Sequence, residues 1–371
     1  MDSSWAAADS DEEIASSANE RTPSPFGRPK RRRLRFKQVD HNFEHMAACR
    51  NLSVDQFLGM LNAGIPMVVL NVLYWLAANR PIAKAKHCVE FFSGAGVIAK
   101  TFKKNGYVAT EYDIERSAVH ENILTSEGML TCLEHAQAIV QGGLAHWATV
   151  CSSWVWICRS STLRTEDRPE GDPTVKSVKK GNMMVARMCT VLIILICKAV
   201  HWVLEQPASS LMTKSHWMRH VQSLKTTYAT RTYMGIFGGN TLKPTGLFSM
   251  SHWPSGLGRR RNELTTAVQP MVRNGLDSSG NVTVTGNKDM LKASQVYPEA
   301  YGRDVYSLWK QNNDEIIDYM PENKNEIIDY MSQADVIWAN WRAAHSQVDW
   351  SVAALSDLAA FLGLPEHFPL V

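Results

Sequence analysis

The chain has 371 residues, 45% of them hydrophobic, so it is long enough to bury a full core in one large domain with extensions. Its formal net charge is only +3, which by itself indicates no particular partner. Seven cysteines without paired short spacings predict reduced thiols in an intracellular protein, and they exclude a disulfide framework or a zinc cluster as the main stabilising device. No secretory signal is visible, and we expect no metal site.

The first 38 residues differ in composition from the rest. They are rich in Ser, Ala, Asp and Glu and close on the basic run 30–37, KRRRLRFK. Such a segment buries too little apolar surface to order itself, so we predict a disordered basic arm over residues 1–38. The basic run is typical of a nuclear-import signal, of a contact with nucleic-acid phosphates or of a solubilising tail. We favour import and expect a nuclear location, with the cytoplasm as the alternative.

Two apolar stretches raise the question of a membrane. Residues 39–85 predict a mostly helical lead-in, whose apolar part, 65–78, is too short for a span and is interrupted by Pro66. The second stretch, 188–197, is shorter still and predicts a buried helix before a strand at 201–204. We therefore expect no membrane partner.

The most informative segment combines an apolar run with a glycine turn: Val89-Glu90-Phe91-Phe92-Ser93-Gly94-Ala95-Gly96. It predicts a buried strand, a sharp turn and a helix start, the arrangement in which α/β proteins bind nucleotides. The Glu90 carboxylate would repel a phosphate, so the loop suits a ligand with a positive or hydroxyl-bearing end, such as S-adenosylmethionine. The candidate cofactor-binding residues here are Glu90, Phe92, Ser93, Gly94 and Gly96. An ordinary tight turn is the alternative interpretation.

A second predicted strand, 107–113, ends in an acid at Asp113. That acid follows the glycines by ~20 residues, the spacing at which doubly wound folds place a carboxylate on a ribose diol. We choose Asp113 for this role, with Glu111 as the substitute because it shares the same face of the strand. A surface acid at a strand end is the other interpretation.

Two further strands predict chemistry at the same edge of the sheet. The segment 147–154 predicts a strand that ends in Cys151, which is either a nucleophile or a small apolar filler. The segment 202–207 predicts a strand that ends in Glu205, which is either a proton donor with a raised pKa or the capping carboxylate of a helix that begins near Ser209.

Taken in order, these segments resemble the cytosine-5 DNA methyltransferases. The resemblance rests on Phe91 to Gly96, an acid after the second strand, Cys151 with Ser152-Ser153-Trp154, and Glu205-Gln206-Pro207. The stretch 233–248, with Lys243-Pro244-Thr245, is similar to the short, phage-like branch of that family. The resemblance covers about 86–253.

The resemblance implies a doubly wound α/β fold of the class I S-adenosylmethionine-dependent methyltransferase type with helical N- and C-terminal extensions. The methyltransferase-like domain would span 86–274. It implies S-adenosylmethionine as cofactor, Cys151 as nucleophile, Glu205 as the contact to ring nitrogen 3 of cytosine, and nucleic acid as partner, DNA favoured over RNA. Trp154 and Trp156 are then stacking candidates, with a core role as the alternative.

Some residues depart from the family pattern. Thr149-Val150 stand where the family carries Pro-Pro, and Gln206 stands where it carries Asn. The basic run 259–261 fits phosphate contact better than base contact. These departures keep a second function open, a methyltransferase fold that binds nucleic acid or protein without catalysis. The mainly helical extension 275–371, with its acidic duplication at 313–320 and 325–331, is assigned no site residue.

Overall fold

The computed structural model describes residues 84–264, 268–270, 272–276, 278–280, 282–286 and 288–312, with scattered positions between 56 and 76. The predicted basic arm, most of the predicted helical lead-in and the acidic duplication lie outside these residues. Several of the scattered positions, Leu70, Leu73 and Leu76 among them, are buried in the main core.

One mixed sheet of six strands forms the centre of the fold, in the order β2-β1-β3-β4-β6-β5. Its strands are β1 (Lys86–Phe91), β2 (Ala109–Tyr112), β3 (Ile139–Trp147), β4 (His201–Pro207), β5 (Tyr228–Tyr233) and β6 (Pro244–Ser249). The pairs β1–β2, β1–β3 and β3–β4 are parallel, whereas β6 runs antiparallel to both β4 and β5. A separate hairpin pairs β7 (Val272–Leu276) with β8 (Val282–Gly286). The predicted α/β class is confirmed, and this sheet is compatible with a Rossmann-like fold.

Helices cover both faces of the sheet. They are α1 (Val97–Lys104), α2 (Ser126–Ala138), α3 (Arg159–Thr162), α4 (Lys176–Cys197), α5 (His216–Leu224), α6 (Lys288–Ala293) and α7 (Glu299–Gln311). Alternation along the strands separates two cores. Phe91, Trp147 and Leu204 face the core that contains α2, α4 and α5, while Cys88 and Val203 face the core that contains α1 and α7.

Helix α4 is the one helix in the described part of the chain that is long and apolar enough to cross a membrane. Most of its apolar stretch is buried inside the protein, against α2, α5 and the sheet. The prediction of a buried helix over 188–197 is therefore confirmed. The strand that follows, β4, covers both the predicted 201–204 and the predicted segment 202–207, and it stays paired with β6 as far as Pro207 opposite Thr245.

Helix α7 packs onto the sheet together with α1, although it lies within the predicted C-terminal extension. It packs against α1, and Trp309 on it contacts the rings of Phe102 and Tyr107 at centroid distances of 4.7 and 5.2 Å. The Trp309 indole also donates a hydrogen bond to the Gly142 carbonyl at 2.9 Å. The helix thus closes one face of the sheet, and its docking determines where the residues just before it lie.

We expect Trp309→Ala to lower the free energy of unfolding by about 3–5 kcal/mol, the range for removing a buried aromatic side chain. The matched control is Trp156→Ala, because Trp156 is 53% exposed and should change stability by only about 0.5 kcal/mol. Denaturant unfolding of both variants measures the difference. Equal, small losses would show that α7 is not docked on the sheet.

Candidate active site

The chain order of the strands marks one position on the sheet edge. From β1 the chain proceeds to β2 on one side, and it later returns to place β3 on the other side of β1. Such a reversal is a topological switch point, and open α/β sheets bind ligands beside it, outside the carboxyl ends of the strands. Phe91 and Trp147, the last residues of β1 and β3, are paired in register, and their rings stack at 4.0 Å. The glycine loop and the loop that carries Cys151 leave the sheet on the two sides of this stack.

The glycine loop has an unusual backbone. Phe92, Gly94 and Gly96 all adopt left-handed conformations, with φ of +59°, +48° and +69°. A Cβ on Gly96 would lie 2.9 Å from the Glu111 side chain, so glycine is required there for packing. A Cβ on Gly94 would meet no described atom within 4 Å. The loop therefore has open space beside Gly94, and Phe92 is a strained non-glycine residue of the kind that clusters at functional sites.

Glu90 is fully buried behind this loop. Its Oε2 accepts a hydrogen bond from the Ala99 amide at 2.8 Å, which satisfies a free amide in the first turn of α1. Burial, with a smaller contribution from the Glu111 charge, raises the Glu90 pKa to about 8. Neither Glu90 Oε1 nor the buried Ser93 hydroxyl has a hydrogen-bond partner among the described residues. Both are buried polar atoms that the loop leaves unsatisfied.

Asp113 lies where the sequence predicts it, directly after β2. Its Oδ2 accepts a hydrogen bond from the Gly94 amide at 2.8 Å, and its Oδ1 accepts one from the Glu115 amide at 2.9 Å. Asp113 thus anchors the glycine loop, and each oxygen keeps a second lone pair for a diol. Glu111 instead forms an ion pair with Lys103 at 2.8 Å. Asp113 is therefore the better placed of the two acids for a ligand.

The loop after β3 carries Cys151. The prediction that the strand itself ends in this cysteine is wrong, because β3 ends at Trp147, where its pairing with Leu204 of β4 also ends. The loop is nevertheless fixed, since the Gln206 side-chain amide donates a hydrogen bond to the Thr149 carbonyl at 2.7 Å. Thr149 and Gln206 both depart from the family pattern, and here they contact each other. The Gln206 amide, which is longer than that of the family's Asn, reaches the loop and holds it at Thr149.

The two stacking candidates differ in exposure. Trp154 is fully buried, and the Arg164 guanidinium lies over its ring at 3.4 Å from the centroid. Arg164 also donates hydrogen bonds to the Ser153 hydroxyl at 3.2 Å and to the Pro169 carbonyl at 2.6 Å. Stacking of a ligand on Trp154 is therefore excluded, and its core role is confirmed. Trp156, in the short 3₁₀ helix Trp156–Cys158, is the exposed ring.

Glu205 is buried near the end of β4 and has two close partners. The Tyr297 hydroxyl donates a hydrogen bond to Glu205 Oε2 at 3.1 Å, and the Lys243 ammonium lies 3.4 Å from Oε1. The alternative of a helix-capping carboxylate is wrong, because the 3₁₀ helix that begins near Ser209, Met212–Lys214, has no side-chain cap. We call Cys151, Glu205, Lys243 and Tyr297 the thiol cluster.

Electrostatics links the members of the thiol cluster. The Cys151 pKa is raised to about 11, chiefly by burial and then by the Glu205 charge, while the Lys243 charge opposes the rise. Cys151 and Glu205 are thus close enough for their charges to interact, and Gln206, next to Glu205, binds the Cys151 loop at Thr149. His146, on the neighbouring strand, has its pKa lowered to about 3 by burial and by Lys243. It is neutral and shares a hydrogen bond with the Tyr301 hydroxyl at 3.0 Å.

Sequence reasoning missed the roles of Lys243 and Tyr297. Lys243 is one of the few non-glycine residues with positive φ, at +35°, and the Lys-Pro pair was the only signal for it. Tyr297 lies 92 residues after Glu205 and carried no local signal. In the run 259–261, Arg259 pairs with Asp304 at 3.2 Å and the other two arginines are exposed, and phosphate contact by this run stays a prediction.

No family model matches the chain, and neither a curated protein nor a solved structure matches it. What bears on function is therefore the geometry of the chain itself. The switch point has the glycine loop with two unpartnered polar atoms on one side and the thiol cluster on the other.

Proposed function

We propose that this protein transfers a methyl group from S-adenosylmethionine to carbon 5 of cytosine in nucleic acid. The observation that carries the proposal is the position of Cys151 and Glu205 at the carboxyl ends of the neighbouring parallel strands β3 and β4, where Gln206 hydrogen-bonds the Cys151 loop at Thr149. A class I methyltransferase fold and a nuclear location form part of the same proposal. DNA is favoured over RNA on the resemblance alone.

Cysteine is the residue that this reaction requires, because carbon 5 of cytosine is a poor nucleophile. Cys151 loses its proton to water, and its thiolate forms a bond to carbon 6. The electron pair of the C5–C6 double bond then makes carbon 5 nucleophilic, while a donor at ring nitrogen 3 stabilises the resulting enamine. After methylation a base removes the carbon 5 proton, the bond between carbon 6 and sulfur breaks, and the thiolate is regenerated.

The glycine loop fits the proposed cofactor. S-adenosylmethionine, when bound, supplies the methyl group as an electrophile. Gly94 leaves open space beside the loop, and Glu90 Oε1 and Ser93 Oγ are buried without partners among the described residues. A cationic ligand stabilises an ionised Glu90, and Asp113 keeps lone pairs for ribose hydroxyls. Phe92 and Gly96 shape the turn that holds these groups.

A nucleic-acid substrate is supported by the surface beside Cys151. Trp156 and Ile157 are exposed large apolar side chains, and Arg159 follows them on the surface. An exposed aromatic ring can stack on a base, and a neighbouring cation can contact phosphate. Because carbon 6 is hidden in a duplex, the substrate base must leave its stack to reach Cys151.

One observation favours the second candidate function, a methyltransferase fold that binds nucleic acid or protein without catalysis. With a pKa near 11, the Cys151 thiol is almost entirely protonated at neutral pH in the free protein. Because the Lys243 charge already opposes the rise, catalysis requires that bound ligands lower this pKa further. The tether between Thr149 and Gln206 favours the enzyme, since it fixes the loop without the Pro-Pro pair.

We expect calorimetric titration to detect S-adenosylmethionine binding, and we expect Gly94→Asn to weaken it at least about tenfold (~1.4 kcal/mol). Asparagine tolerates positive φ, so its side chain fills the open space while the turn is kept. Gly106→Asn is the matched control, because Gly106 also has positive φ and open surroundings but lies past the end of α1. Equal affinity in both variants would remove the cofactor site from this loop.

The covalent step predicts a trapped adduct. Fluorine at carbon 5 cannot leave as a proton, so nucleic acid with 5-fluorocytosine and S-adenosylmethionine should give a denaturation-resistant complex with this protein. Cys151→Ser should abolish the complex, and Cys158→Ser should keep it. Denaturing electrophoresis with DNA and RNA measures both. Loss of the adduct only in Cys158→Ser would move the nucleophile. Cofactor binding without any adduct would favour the noncatalytic function.

A further inference from the structure

The contacts of Glu205 determine which protonation role it can take. Tyr297 directs its hydroxyl proton at Oε2, and the Lys243 ammonium lies beside Oε1. The hydroxyl donor and the ammonium therefore face the two carboxylate oxygens, which is the arrangement of a hydrogen-bond acceptor. Ring nitrogen 3 of cytosine is itself an acceptor. The contacts of Glu205 therefore place it as an acceptor and leave the donor to ring nitrogen 3 to another residue.

The Lys243 ammonium carries protons that it can donate. Its side chain is 14% exposed, so the ammonium is desolvated on most sides but not sealed off. Glu205 Oε1 receives no hydrogen bond from any described residue, so the ion pair at 3.4 Å leaves the lysine's protons uncommitted to that oxygen. Lys243 pairs with Glu205, and the next residue, Gln206, donates a hydrogen bond to the Thr149 carbonyl at 2.7 Å, so the ammonium lies beside the strand end that holds the Cys151 loop.

The backbone holds Lys243 in this position. Its φ of +35° is strained for a residue with a side chain, and Pro244 begins β6 directly after it. The Lys243 carbonyl accepts hydrogen bonds from the Met234 amide at 3.3 Å and from the Thr245 hydroxyl at 2.9 Å. The ammonium also lies 5.5 Å from the Tyr297 ring centroid, within cation–π range.

We propose that Lys243 is a catalytic residue that donates its proton to ring nitrogen 3 of the cytosine, with Glu205 and Tyr297 as the positioning residues that hold its ammonium. This inference rests on the proposed function. As the sulfur of Cys151 bonds to carbon 6, the proton passes from Lys243 Nζ to nitrogen 3, which takes up the displaced electron pair. When the bond between carbon 6 and sulfur breaks, the proton returns to Nζ.

The test is the rate of adduct formation with 5-fluorocytosine DNA and S-adenosylmethionine in the full chain. Lys243→Met should lower this rate about a hundredfold or more, as for loss of a general acid. Lys243→Arg should not restore it, because a guanidinium keeps the positive charge beside Cys151 but does not give up its proton. Glu205→Gln should cost only about tenfold, because a positioned ammonium remains. Lys214→Met is the matched control, since Lys214 pairs with Glu166 in an exposed ion pair, and it should leave the rate unchanged.

The outcomes separate the inference from the proposed function. Unchanged adduct formation in Lys243→Met, or a loss in Glu205→Gln that exceeds the loss in Lys243→Met, overturns the role of Lys243 and leaves the methyl transfer standing. No adduct with the unmodified chain overturns the proposed function, and the inference with it. Calorimetric S-adenosylmethionine binding by Lys243→Met shows that the variant is folded, so that a lost adduct reports chemistry.

Discussion

The buried carboxylate of Glu205 is the constraint on which the rest of the site depends. A charge buried near the end of a central strand is costly unless donors surround it. Here a cation and a hydroxyl donor come from distant parts of the chain, Lys243 just before β6 and Tyr297 just before α7. The antiparallel strand and the docked C-terminal helix therefore do more than cover the sheet, because they bring the partners that make a buried Glu205 tolerable beside Cys151.

The parts that could be predicted from the sequence are those whose signal is local. The apolar run into Gly94 and Gly96 predicted a strand, a turn and a helix, because few other structures use two glycines after a buried strand. An acid at the end of the next strand, Asp113, lies at the glycine loop for the same local reason. Cys151 and Glu205 were brought together because parallel strands collect their carboxyl ends at one edge of a sheet.

The parts that could not be predicted depend on contacts between distant residues. The end of β3 at Trp147 is set by its pairing with β4, and the burial of Trp154, unlike Trp156, is set by Arg164 stacking on its ring. Tyr297 lies in a segment whose composition suggested no chemistry, and only the docking of α7 brings it to Glu205. The sequence alone could not show what Gln206 does in place of the family's Asn, because its contact with the Thr149 carbonyl is visible only in the folded chain.

The central claim is that the charges of Glu205 and Lys243 together determine the pKa of the Cys151 thiol. The pH dependence of Cys151 alkylation by iodoacetamide tests this claim most directly. Mass spectrometry identifies the modified thiol. Only the thiolate reacts, so the rate follows the ionised fraction of the thiol. Because the Glu205 charge raises the thiol pKa and the Lys243 charge lowers it, Glu205→Gln should shift the rate profile to lower pH and Lys243→Met should shift it to higher pH. The same profile in all three proteins would contradict the account, since Cys151 would then be electrostatically independent of both residues.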